Sequence, residues 1–167
     1  MVEAQRQATL QKEALLRLEN ILVQSSDGRG RVGELVTGVE NCAIAPDAAL
    51  REINAVIDNR EGVLRQIAAL QLSGDAEVGS AVAQLQAAIQ ASVDADRHYA
   101  DWMQVLYEDS FAPESACSVN GYAFTNSDYT DGGADSSRAT AAKQQFVSQY
   151  NALAQRHGLR TWTEQEI

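Results

Sequence analysis

The sequence predicts an all-α, up-and-down four-helix bundle with a kinked long first helix and a long loop before the last helix. Apolar residues recur at three- and four-residue steps along four stretches. Alanine, leucine and glutamine dominate those stretches, and the chain has only 2 prolines, which favours helix over strand. With 167 residues, 45% of them hydrophobic, it is long enough for one domain with a substantial core and too short to expect two.

The first helix is expected over about 3–41, its apolar face built from Leu10, Ala14, Leu18 and Ile21. Ser25 to Gly30 carries helix-breaking chemistry, yet the stripe resumes at Val32, Leu35 and Val39. Eleven steps from Ile21 to Val32 rotate the face by only about 20°, so one kinked helix is favoured over a reversal. Ala45, Pro46 and Asp47 start a second helix, about 47–71, with the face Leu50, Ile53, Ile57, Leu64 and Ile67. A third, about 75–109, shows the cleanest seam, from Val78 through Leu85 and Ile89 to Met103 and Leu106. Residues 110–135, rich in Ser, Asn, Asp and Gly, read as a loop before a fourth helix at about 136–157. Leu159 and Trp162 are expected to dock on the bundle.

Thirteen Lys plus Arg against 23 Asp plus Glu give a formal charge of -10, which disfavours nucleic acid or an anionic membrane surface as partner. No apolar run approaches the roughly 20 residues that cross a bilayer, so this segment is not expected to insert directly. An up-and-down order makes the first and third helices parallel, and Cys42 and Cys117 follow their ends at one pole. A bridge there would close a loop of about 75 residues, adding roughly 4 kcal/mol in the chain-entropy account. It would also imply an oxidising, extracytoplasmic setting, with a signal or anchor lying outside this chain. The alternative is two unrelated reduced thiols.

Asn59 with Arg60, then Ala95, Asp96, Tyr99 and Trp102, and the closing Ala154, Gly158, Leu159, Arg160 and Trp162 resemble a group of uncharacterised exported or membrane-anchored helical domains of actinobacteria. The resemblance implies a bundle outside the cytoplasm and carries over no catalytic residue.

Two charges fall on core-facing stripes. Arg60 lies between Ile57 and Leu64, and Asp96 between Ile89 and Met103. A hairpin turning near residue 74 sets Arg60 opposite about residue 88, on the order of 10 Å from Asp96. Arg60 is therefore expected to serve the helix break at Ser25 to Gly28, with Asp27 as a partner. Asp94, His98 and Asp101, at steps i, i+4 and i+7, share one face with ligand-like spacing for a metal, or form a solvated polar face. Asp128, Asp131 and Asp135 offer oxygens for calcium but lack the fixed spacing of a calcium loop. Tyr122, Phe124, Asp128, Tyr129 and Asp131 are expected to form a recognition pole on the long loop. With 2 histidines, neither in a nucleophile or general-base motif, no catalytic residue and no cofactor are assigned. The expected function is a non-enzymatic extracytoplasmic binding or interaction module for an unknown protein or cell-envelope partner. The alternatives are a small-molecule sensor of a membrane-anchored protein, a metal-binding protein, or a self-associating structural bundle.

Overall fold

A computed structural model describes residues 1–26, 29–72, 74–109 and 121–167. Five α-helices follow in order: α1 (Val2–Ser26), α2 (Arg29–Glu40), α3 (Pro46–Ala68), α4 (Ala76–Asp109) and α5 (Ser127–Arg156), with a closing 3-10 turn over Glu164–Glu166. The fold is an all-α bundle of four passes, because α1 and α2 make one pass between them. Gln24 of α1 is hydrogen-bonded to Gln66, and Arg31 of α2 to Glu52, so the first pass descends α3 in one direction through the break. The preserved phase of the apolar stripe from Ile21 to Val32 is thus matched by a continued direction rather than a reversal.

The apolar side chains form two clusters stacked along the bundle. One gathers Leu15, Leu18 and Leu22 against Val63, Ile67, Leu85, Ile89, Phe146 and Tyr150. The other gathers Leu35 and Val39 against Ile53, Ile57, Val93, Trp102 and Met103. The residues at the level between them are polar and buried: Ser25, Arg60, Ser92, Asp96 and Lys143. A polar layer therefore crosses every pass, and the break between α1 and α2 falls at its edge.

Two expectations are corrected. The second helix ends at Ala68 rather than near 71, and residues 69–75 form a connection whose Leu70 and Leu72 pack on the first cluster. The last helix begins at Ser127, not near 136, so the second part of the expected loop is helical. Asn126 caps that helix by accepting from the Tyr129 N–H at 3.1 Å, and Asp128 lies in its first turn. Gly132, which reads as a breaker, serves a close approach: a Cβ there would sit 2.9 Å from the Tyr99 ring. Residues 110–120 lie outside the described residues.

At the far end Gly158 (φ 63) stops α5, and the Leu159 N–H donates to the Ala154 carbonyl at 2.9 Å. The tail then folds back as expected for Trp162. Asn151 clasps the Trp162 backbone through its N–H (2.9 Å) and C=O (2.8 Å), Arg160 stacks on the indole at 3.9 Å, and Ile167 is buried.

Tyr150 is fully enclosed beside Phe146, and its phenol is pushed up to about 12, chiefly by burial and then by the charge of Glu19. A phenol raised in the folded chain contributes stability that is intact below the unfolded value near 10 and lost as pH climbs through the folded one. Urea unfolding across that window is expected to show Tyr150→Phe losing about 2–3 kcal/mol less than the unsubstituted protein. Superimposable pH profiles for the two proteins would contradict this account of the Tyr150 site.

Candidate functional site: a polar cleft between α2 and α5

The helices do not pack evenly around the second cluster. α5 lies chiefly on α4, and α2 lies on α3 and α4. The α5 side chains facing α2 at this level include Ser136, Ala139 and Thr140, which are too small to fill the space between the two helices. A cavity of about 330 Å³ results, walled by α2 and α5, with α4 and Arg60 of α3 as its floor. That volume is at the small end of ligand pockets, which run roughly 300–1,000 Å³.

The floor is the polar layer. Arg60, 8% exposed, donates from Nη1 to the Asp96 carboxylate and to the Ser92 carbonyl at 3.4 Å. Asp96 is 1% exposed, and burial pushes its carboxyl up, against the opposing pull of Arg60 and, more weakly, Lys143. Arg60 thus pairs with Asp96, and Asp27, its expected partner, lies outside the described residues. The physical reason is register. Glu61 also pairs with Arg97, so α4 is displaced by about eight residues, roughly 12 Å, from the symmetric hairpin that would oppose Arg60 to residue 88. The connection 69–75 and the long reach of the arginines take up that displacement.

Lys143 of α5, only 6% exposed, enters the same layer. Sequence reading missed it, although it precedes Phe146, Tyr150 and Leu153 on the buried stripe of α5. At the other end of the cleft stand Glu40, Tyr99 and Tyr129. The Tyr129 phenol donates to Glu40 and is held above its ordinary range by burial and by that carboxylate. Tyr99 is raised first by burial and then by the charges of Asp96 and Glu40, while a hydrogen bond with Ser136 works the other way. The Tyr129 ring is edge-on to Tyr99 (6.1 Å between centroids) and to Trp102 (5.0 Å), and the Trp102 indole donates to the Phe124 carbonyl at 2.7 Å.

The expected recognition pole is therefore divided. Tyr122 and Phe124 are exposed, at 56% and 62%, whereas Tyr129 turns into the cleft and Asp131 stays in solvent on α5. Asp128 faces His98 instead: His98 Nδ1 lies 3.3 Å from Asp128 and Nε2 lies 3.5 Å from Asp135, which also pairs with Arg138. The set Asp94, His98 and Asp101 is not brought together as metal ligands. Asp94 accepts from Gln90 at 3.0 Å, Asp101 is exposed, and no metal-holding group of His, Cys, Asp and Glu occurs among the described residues. His98 is claimed by α5, and together with Tyr129 it fastens the start of that helix to α4.

Cys42 sits at the same pole in a left-handed conformation (φ 59), just beyond α2, and no cysteine is free among the described residues. Cys117 lies outside them. Close by, the Ala123 N–H donates to the Glu40 carbonyl at 2.8 Å, tying the chain ahead of α5 to the end of α2. No described helix is long and apolar enough to cross a membrane. No protein-family model, curated protein or solved structure matches the chain.

Breaking the buried pair from one side leaves a charge without its partner. Asp96→Ala is expected to cost about 3–5 kcal/mol in urea unfolding, and the double variant Arg60→Met with Asp96→Leu distinctly less. A double variant as unstable as the single one would show that the pair contributes beyond compensating its own burial.

Proposed function

We propose that the chain is a non-enzymatic binding domain that works outside the cytoplasm and holds a small polar molecule in the cleft between α2 and α5. One observation carries this reading: a ligand-sized cavity opens onto a buried layer of charge, where Arg60, Asp96 and Lys143 are already desolvated and fixed by the packing around them. Charged groups held in a partly enclosed site bind polar ligands more strongly than the same groups in open water. Binding is favoured over catalysis because Arg60 and Asp96 are engaged with each other, and His98 is engaged by Asp128 and Asp135 on α5.

The location outside the cytoplasm rests on a bridge between Cys42 and Cys117. Supporting it are the left-handed backbone of Cys42, a conformation that glycine adopts more readily, and the Ala123 to Glu40 tie, which brings the chain after residue 120 to that pole. A second reading draws on Tyr107, Tyr122 and Phe124, exposed at 52%, 56% and 62% near that pole, as a surface for a cell-envelope protein.

Thermal unfolding against a panel of small carboxylates, phosphates, amines and amino acids tests the cleft, with Ala139→Phe as a cleft-filling control. A ligand at a hundred times its Kd adds about 2.7 kcal/mol to the folded state. The expected result is a rise in Tm for the unsubstituted protein alone; equal shifts in the control, or no shift from any compound, would remove the cleft as the site. Intact mass after alkylation in denaturant tests the bridge: both thiols are expected to react only after reduction, in a monomer. Reaction of both without reduction would withdraw the extracytoplasmic assignment.

A further inference from the structure

The charged groups of the cleft differ in how they are engaged. On the floor Arg60 and Asp96 form a direct ion pair, and Lys143, in the same buried layer, has a partner within the fold. An anionic ligand would have to compete with those partners for either cation. Glu40, half-buried at the last position of α2, accepts from the Tyr129 phenol, a neutral donor that leaves the negative charge in place. That charge is felt by both phenols, since Tyr129 and Tyr99 are each raised by it, and Tyr99 by Asp96 as well. The helix adds to it: the C-terminus of α2 is the negative end of its dipole, and its last turn holds no basic residue.

We propose that the ligand carries an organic ammonium group, seated in the cleft beside the Glu40 carboxylate and the rings of Tyr99 and Tyr129. This rests on the cleft being the binding site. A carboxylate has about four acceptor positions, so the bond from Tyr129 leaves capacity for a further donor. The two rings stand 6.1 Å apart between centroids at 70° to each other, and both line the cavity with Glu40. A cation there gains from aromatic surface as well as from the carboxylate, in a site partly closed to water. Val32, Val36, Ala95 and Ala139 line the same cavity and give the hydrocarbon part of such a ligand an apolar surface. A neutral compound of the same shape would gain those apolar contacts and lose the attraction to charge. A carboxylate of the same size would meet Glu40 as a like charge. The size of the cavity, about 330 Å³, suits a small amine, primary or fully methylated.

Calorimetry and thermal unfolding test this with choline, butylammonium, butyrate and dimethylbutanol, the neutral isostere of choline with carbon in place of nitrogen. They are run on the unsubstituted protein and on Glu40→Gln, Tyr129→Leu and Ala139→Phe, with helicity checked for each. At least one ammonium compound is expected to bind, and the alcohol and butyrate at least about tenfold more weakly. Whichever ammonium binds more tightly tells a methylated head group from a primary one. Glu40→Gln removes the charge while keeping an acceptor for the Tyr129 phenol; it and Tyr129→Leu are each expected to weaken binding about tenfold. Ala139→Phe is expected to abolish it. The contrast between choline and its isostere needs no substitution, so it decides the matter even where a variant fails to fold. Equal binding of choline and the alcohol, or ammonium binding unchanged in Glu40→Gln, would overturn the ammonium assignment. Butyrate binding as well as butylammonium, with loss in Ala139→Phe, would overturn it too and leave the cleft as a site for another class of ligand. Failure of all four compounds would likewise overturn it, and Ala139→Phe more stable than the unsubstituted protein would then make the cleft itself a packing void.

Discussion

The ion pair between Arg60 and Asp96 is the constraint on which the rest of the arrangement turns. A guanidinium and a carboxylate removed from water are tolerable only together, so the two helices that carry them must meet at that level. That requirement fixes α4 along α3, and Glu61 with Arg97 repeats the same offset on the exposed flank. With the register fixed, Ile57 and Met103 fall on one side of the pair and Val63 and Ile89 on the other. The division of the apolar interior into two clusters follows from a single charged contact.

The same contact explains where the cavity lies. A buried charge needs neighbours that neither strip it of partners nor expose it fully, and Ser92, Lys143 and Thr140 provide a polar surround in which small side chains leave room. On the α2 side Gly33 and Val36 complete the wall without reaching across. α5 is kept from closing on α2 because Gly132 draws its first turns onto the Tyr99 ring and His98 holds them from the other flank. The cleft is thus built by tight packing of α5 on α4.

Much of this was legible in the sequence. Four apolar stripes identified the fold class, and helical phase alone placed Arg60 and Asp96 toward the interior. Their pairing was not legible, because phase gives azimuth and says nothing of height; height depended on the run 69–75, whose Leu70 and Leu72 spend residues on packing instead of turning at once. The start of α5 was hidden for a different reason. Ser127, Asp128, Gly132 and Gly133 have poor intrinsic helix propensity, and tertiary contacts with Tyr99, Trp102 and His98 override it. Lys143 was legible in principle, as a charge on the same stripe as Phe146 and Tyr150, and was masked by the polar residues around it.

The polar layer also bears on how the molecule shares its stability. α3 and α4 carry buried residues of both apolar clusters, whereas α5 reaches the second only through the partly buried Tyr129. The layer of charge is thus a seam between two apolar storeys, one holding Phe146 and Tyr150 and the other Trp102 and Met103, riveted together by α3 and α4.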